Sequence, residues 1–143
     1  MYRLIYKSRC SGTPSWVMMR DILAISEENN SNYSITGALL ASSTHFLQVL
    51  EGSYEAVNKT FYEITQDSRH KDIQMVSFLP IHKRLYEHWG MKGIGVFDFN
   101  EDVAERFKKK YGEEQGGLKF PTEEWAVLAL MQDIGLLKEF PSC

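Results

Sequence analysis

The 143-residue sequence predicts an α+β fold: a five-stranded mixed sheet with two helices on one face and C-terminal helices covering the other. Three observations predict it. The first 97 residues carry apolar periodicities in the order strand–helix–strand–strand–helix–strand–strand, which is that of a ferredoxin-like sandwich. The stretch FLQVLEG (46–52) is apolar on both faces, as a central strand covered on both sides must be. Residues 98–143 are too short to bury a core of their own, yet they carry a strong apolar stripe. They are expected to cover the sheet face where Ile5, Leu47 and Val49 would otherwise meet water.

Residues 2–8 (YRLIYKS) alternate Tyr2, Leu4, Tyr6 and Ser8 against Arg3, Ile5 and Lys7, the period of a strand. Ser11-Gly12-Thr13-Pro14 is turn chemistry, and a helix follows over 15–30 with Met18, Ile22 and Ile25 in its apolar stripe. NNSNYS (29–34) ends it, because Asn tolerates the left-handed conformation found at helix C-termini. ITGALLA (35–41) and THFLQVLEG (44–52) form a hairpin around Ser42-Ser43. Ser53 caps a second helix reaching about Asp67, with Glu55 in its first turn and Val57, Phe61 and Ile64 on one face. IQMVSFLPI (73–81) is the fourth strand, and the glycine-rich WGMKGIGVF (89–97) the fifth, its glycines easing a shift or fraying. Beyond it, Lys108-Lys109-Lys110 reads as the solvated end of a helix. A last helix starts near Thr122 without a full capping box and carries Trp125, Leu128, Met131 and Ile134 on its apolar side. Trp16 and Trp125 read as core residues, His45, His82 and His88 as surface residues, and Lys83-Arg84 as a solvated loop.

Composition narrows the function. Hydrophobic residues at 43% and charged residues at 24% are the balance of a folded domain. A net charge of −3 argues against nucleic acid as the main partner. No stretch is apolar enough for a signal peptide or a membrane span, so no membrane partner and a cytoplasmic location are expected. Cys10 and Cys143 have no metal-ligand spacing, and reduced thiols are expected.

One residue stands out inside the central strand. An unpaired amide buried at Gln48 would cost roughly 1–3 kcal/mol, so something must meet it. Tyr6 lies on the face of Leu4, and Gln48 on that of Phe46 and Leu50. In a ferredoxin-like order the strands that carry them are neighbours, and Asn30 ends the helix above. Phenol and amide either satisfy one another within the core or hold a flat heteroaromatic ligand under the helices, and the pattern leaves both open.

The exact strings RLIYKS, ENNSNYSITGALL, HFLQVLEG, DSRHKD and PIHKRLYEHWGM, in this order, closely resemble the BLUF family, blue-light sensors that use FAD. The resemblance covers about residues 2–97. It implies a flavin-binding domain over 1–97 followed by a helical cap over 98–143, with the isoalloxazine ring between the first two helices. Carried over, the family's photoactive tyrosine falls on Tyr6, its essential glutamine on Gln48, and the asparagine at the flavin's pyrimidine edge on Asn30. Ser8, Ile22, Phe46 and Ile64 match positions lining the ring, and Arg69 and His70 the Arg-His pair near the ring and its side chain. Trp89 and Met91 match the Trp-x-Met of the last strand, which is implicated in passing the signal on. Departures from the pattern are Asn29, where some members have histidine, Asn32, where a basic residue is common, and Gly90 between Trp89 and Met91.

The resemblance implies that light drives an electron and a proton from Tyr6 by way of Gln48, leaving a red-shifted, dark-reversible state. It also implies a sensor rather than an enzyme, acting on a separate response protein and forming a homo-oligomer. Small ferredoxin-like domains can also hydrolyse acyl phosphates, and SRCSGTPS offers Arg9 beside a helix N-terminus. No nucleophile–base arrangement accompanies it, and no nicotinamide-binding fingerprint supports a flavin reductase.

Overall fold

Alternation along β1 (Tyr2–Cys10) sends Leu4, Tyr6 and Ser8 to one side of a sheet and Arg3, Ile5 and Lys7 to the other. The structure, a computed structural model, describes residues 1–143, except for the side chains of residues 26–33. After β1 come α1 (Trp16–Tyr33), β2 (Thr36–Ala41), β3 (His45–Gly52), α2 (Tyr54–Thr65), β4 (His70–Pro80) and β5 (Met91–Gly95). The sheet runs β4-β1-β3-β2-β5, with β5 parallel to β2 and the other neighbours antiparallel. This is the predicted ferredoxin-like order with a strand added beside β2. Ser53 accepts from the Ala56 N–H at 3.1 Å and starts α2 as predicted.

The rest of the chain forms α3 (Glu101–Tyr111), the short ribbon β6 (Glu113–Glu114) and β7 (Gly117–Leu118), and α4 (Glu124–Gly135). These elements cover the second face. Ile5, Ala38, Leu40, Leu47, Val49 and Ile94 pack there against Phe107, Phe120, Val127, Leu130, Met131 and Ile134. Lys108–Lys110 do close the last turn of α3, and Lys110 reaches Asp133 of α4 at 2.7 Å.

Several local expectations are corrected. α4 buries Met131 and Ile134 as predicted, but its inward stripe is completed by Val127 and Leu130, while Trp125 is 70% exposed and donates its indole N–H to Glu123. Its N-cap is Glu123 rather than Thr122, with no side-chain capping bond. β4 begins three residues earlier than predicted, at His70. β5 is shorter and is flanked by single 3₁₀ turns at Glu87–Trp89 and Val96–Asp98. Trp89 therefore precedes the last strand instead of lying in it. His45 is half-buried, bonded to Thr44 Oγ1 at 2.7 Å.

Charges on the second face are also buried. Arg3 and Glu51 are cross-strand partners, and the guanidinium Nε meets Glu51 Oε2 at 2.9 Å. The fully buried Glu51 carboxylate accepts in addition from the N–H groups of Leu85 and Tyr86, both at 3.0 Å from Oε1. Arg84, expected in a solvated loop, donates to Thr36 Oγ1 at 2.9 Å and to Glu51 O at 3.1 Å. The Glu51 carboxylate and the Arg84 guanidinium thus tie residues 84–86 to β2 and β3. Lys7 is buried too, donating to Glu114 Oε1 and Phe120 O, each at 2.9 Å.

Candidate cofactor site

The pairing register of β1 and β3 sets Tyr6 opposite Gln48, Ser8 opposite Phe46 and Leu4 opposite Leu50, all facing the helices. Tyr6 and Gln48 are fully buried, and the phenol donates to Gln48 Oε1 at 2.6 Å. Burial pushes the Tyr6 phenol well above its ordinary value, and the Asp67 carboxylate pushes it the same way, so the hydroxyl holds its proton. The amide Nε2 faces Met91 Sδ at 3.8 Å.

A second polar pair lies one step along the strand. Ser8 Oγ and His70 Nδ1 are 2.7 Å apart, and the imidazole sits 5.7 Å from the Tyr6 ring and 5.1 Å from the Phe46 ring. His70 is 8% exposed, yet among the described residues its Nε2 has no hydrogen-bond partner. Whichever nitrogen carries the proton, the described residues leave one hydrogen-bonding site of a buried ring to be met.

These polar groups follow a division in the core. Under α2 one apolar cluster gathers Leu4, Tyr6, Ile35, Leu50, Ala56, Val57 and Ile64. Under α1 another gathers Cys10, Met19, Ile22, Leu23, Leu39, Ala41 and Phe46. Met91 packs against both clusters, and the His70 ring touches Tyr6 of the first and Phe46 of the second. Ile22 and Ile64, expected to sandwich a ring, are fully buried on opposite sides of this line. Arg69 spans it at the surface, bonding Asp67 at 2.7 Å and reaching Asp21 of α1 at 3.5 Å. Asn30, like Asn29 and Asn32, lies outside the described residues.

Trp89 and Met91 part company. The Trp89 ring stacks on Tyr86 at 5.6 Å and meets Phe140 at 6.2 Å, within the second-face core. Met91 turns to the helix side beside Gln48. Gly90, at φ +62°, makes that reversal, a conformation glycine adopts without a Cβ penalty. Sequence reasoning missed Glu51, Arg3, Arg84 and Lys7. For Arg3, Lys7 and Glu51 the signal was a charge within an otherwise apolar strand run, while Arg84 sits in a loop and gave none. Arg9, the cation of the acyl phosphate alternative, is exposed and paired with Asp72 at 2.9 Å. Among the described residues there is no group of three metal-ligating side chains, and no helix is long and apolar enough to cross a membrane.

His70 predicts a pH dependence. Burial lowers its pKa from 6.5 to about 4, with Asp67 opposing and Arg69 reinforcing. In the unfolded chain the ring protonates as pH falls through 6.5, while the folded ring stays neutral down to about 4. This contribution to stability is therefore present above 6.5 and is lost on acidification, by about 2 kcal/mol between pH 7 and pH 5. Urea unfolding of the flavin-free protein at the two pH values checks it. His70→Gln should remove that part of the difference, and an unchanged difference would refute the assignment.

Buried polar groups within the helix-side core of a ferredoxin-like sandwich are an arrangement able to hold a small molecule. The family model for sensors of blue light using FAD, BLUF, matches residues 1–92, and the chain belongs to that family. The family is one of flavin-binding blue-light sensors. Photoactivated adenylate cyclase subunit alpha of Euglena gracilis is 39% identical over 83 residues, 58% of this chain and 8% of that one. The chain spans 8–13% of the length of the cyclase subunits alpha and beta that it matches. Among solved structures, a bacterial light-regulated adenylyl cyclase superposes with a TM-score of 0.68 at 34% identity, covering 77% of this chain and 32% of that one. BlsA in its photo-activated state superposes with a TM-score of 0.74 at 25% identity, covering 98% of both chains. The line of polar groups fits a flavin: the His70 Nε2 site calls for a partner, and Ile22 and Ile64 offer apolar faces on either side.

Proposed function

We propose that the chain is a blue-light photoreceptor holding FAD along the division between the two helix-side clusters. The observation that carries this reading is the fully buried 2.6 Å bond between Tyr6 and Gln48, set beside the unmet Nε2 of His70. When bound, the flavin supplies the blue-light absorption and, once excited, the oxidant. Ile22, Phe46 and Ile64 hold the ring's apolar faces. Ser8, Asn30, Gln48 and His70 meet its polar edge, and Arg69 its anionic side chain. The phosphates of that side chain are why Arg69 supports FAD.

Tyr6 gives up an electron, and its proton moves along the existing bond to Gln48 Oε1. The return of both restores the phenol but leaves the Gln48 amide turned or tautomerised. A turned amide presents Nε2 to Tyr6 Oη, so the oxygen that donated now accepts. No covalent bond is made, and the amide returns in the dark. Two hydrogen-bond arrangements of one buried amide form the bistable element that a signal needs.

Met91, beside the amide, and Trp89, within the C-terminal layer, relay the change. The domain over 1–97 senses and the cap over 98–143 passes the signal to a separate response protein, with the chain acting in the cytoplasm as a homo-oligomer. In this reading it catalyses no reaction of its own. Dark-purified protein is expected to be yellow, to release FAD on denaturation by mass spectrometry, and to red-shift reversibly under blue light. A colourless or light-inert protein would sink the reading, and released FMN would correct the cofactor.

A further inference from the structure

The outer edge of β5 is covered by the chain's own residues 141–143. Gly93 N–H donates to Cys143 O at 3.1 Å, Cys143 N–H donates back to Gly93 O at 2.8 Å, and Gly95 N–H donates to Pro141 O at 3.0 Å. Ile94 and Ser142 form an antiparallel bridge. We propose that this edge is the surface through which the protein signals, that residues 141–143 occupy it as an internal ligand, and that the partner docks there as an extended antiparallel segment. The proposal rests on the photoreceptor reading and names the surface and partner chemistry that it leaves open.

Three features of the site carry it. First, β5 starts at Met91, whose sulfur lies against the Gln48 amide, so a turn of that amide acts on the strand that bears the edge. Second, the edge is shaped for close approach. A Cβ at Gly93 would lie 2.7 Å from both Cys143 Sγ and Leu23 Cδ1, and one at Gly95 would lie 2.5 Å from the Trp16 ring. The missing Cβ at Gly93 leaves the space over it to the side chain of the paired segment, here Cys143. Third, the internal ligand interrupts its own pairing at Pro141. Pro141 has no N–H to donate, and the backbone bonds above join the segment to β5 through Pro141 and Cys143. A short, locally held segment opens at lower free energy than the core strands beneath it.

The backbone alternation supplies the test. Gly93 and Gly95 turn their amides to the segment, while Lys92 and Ile94 turn theirs to β2. Residue-resolved hydrogen exchange on the full-length, flavin-loaded protein should show Gly93 and Gly95 exchanging about tenfold faster in light than in the dark. Lys92 and Ile94 should not change. Deleting residues 141–143 should give the fast exchange in the dark, and a synthetic peptide of residues 138–143 should restore protection to the truncated protein. The same peptide should bind the full-length protein in light and not in the dark.

A normal red shift without faster exchange at Gly93 and Gly95 overturns this inference and leaves the photoreceptor reading standing. Equal acceleration at Lys92 and Ile94 means that the strand frays as a whole, which also overturns it. Failure of the peptide to restore protection removes the edge as a docking surface. Absence of any red shift defeats the photoreceptor reading and the light gating with it.

Discussion

A Tyr6→Phe protein is expected to bind flavin and show no red shift under blue light. The substitution keeps the ring in its apolar cluster beside Phe61 and His70 and deletes only the hydroxyl that bonds Gln48. Leaving Gln48 Oε1 without that donor costs about 1–3 kcal/mol, too little to unfold a domain of this size. The chemistry loses everything, because phenylalanine offers neither a readily removed electron nor a proton. Gln48→Leu reaches the same end from the other partner. It keeps the volume, fits between Phe46 and Leu50, and removes the amide whose turn stores the signal. Flavin retention through gel filtration and light-minus-dark absorbance measure both variants. A normal shift in either would take that residue out of the mechanism.

Glu51→Ala is expected to destabilise the fold by about 3–5 kcal/mol, the usual loss when one member of a buried ion pair is removed. Arg3 would keep its charge beneath the second-face layer with its partner gone. The amides of Leu85 and Tyr86 would lose their acceptor. The damage should centre on residues 84–91, which carry Trp89 and lead into Met91. Urea unfolding measures the loss, and Trp89 emission follows the local change. A loss under about 1 kcal/mol would mean that water reaches the vacated site and solvates Arg3. The double change Arg3→Met with Glu51→Leu should recover part of the stability, since it removes the stranded charge but still leaves both amides unpaired.

Much of this site could be read from spacing. Tyr6 and Ser8 are two residues apart, as are Phe46 and Gln48, and the strand period puts each pair on one face. A buried glutamine among apolar neighbours signalled a polar site, and matching strings pointed to the family. The rest was hidden for identifiable reasons. His70 meets Ser8 because β4 pairs with β1 through two register irregularities, and no local pattern announces a bulge in advance. Arg3 and Glu51 look like separate charges until β1 and β3 are set side by side. Trp89 and Met91 are also two residues apart, which in a regular strand would put them on the same face. The 3₁₀ turn and Gly90 send them to opposite layers instead.

α4 shows where local information stops. EWAVLALMQDIG is apolar almost throughout, so more than one stripe satisfies the helical period. Periodicity favoured one containing Trp125 and Leu128 with Met131 and Ile134, whereas packing against Ile5, Leu47 and Val49 kept the last two and replaced the first two by Val127 and Leu130. Residue order alone was enough for the kinds of element, their succession and the shared face of Tyr6 and Gln48, because these depend on φ/ψ preference and side-chain period, which are properties of neighbours in the chain. The partner of each buried charge, the rotation of α4 and the placing of His70 depend on which surfaces meet, and that is set by burial summed over segments far apart in sequence.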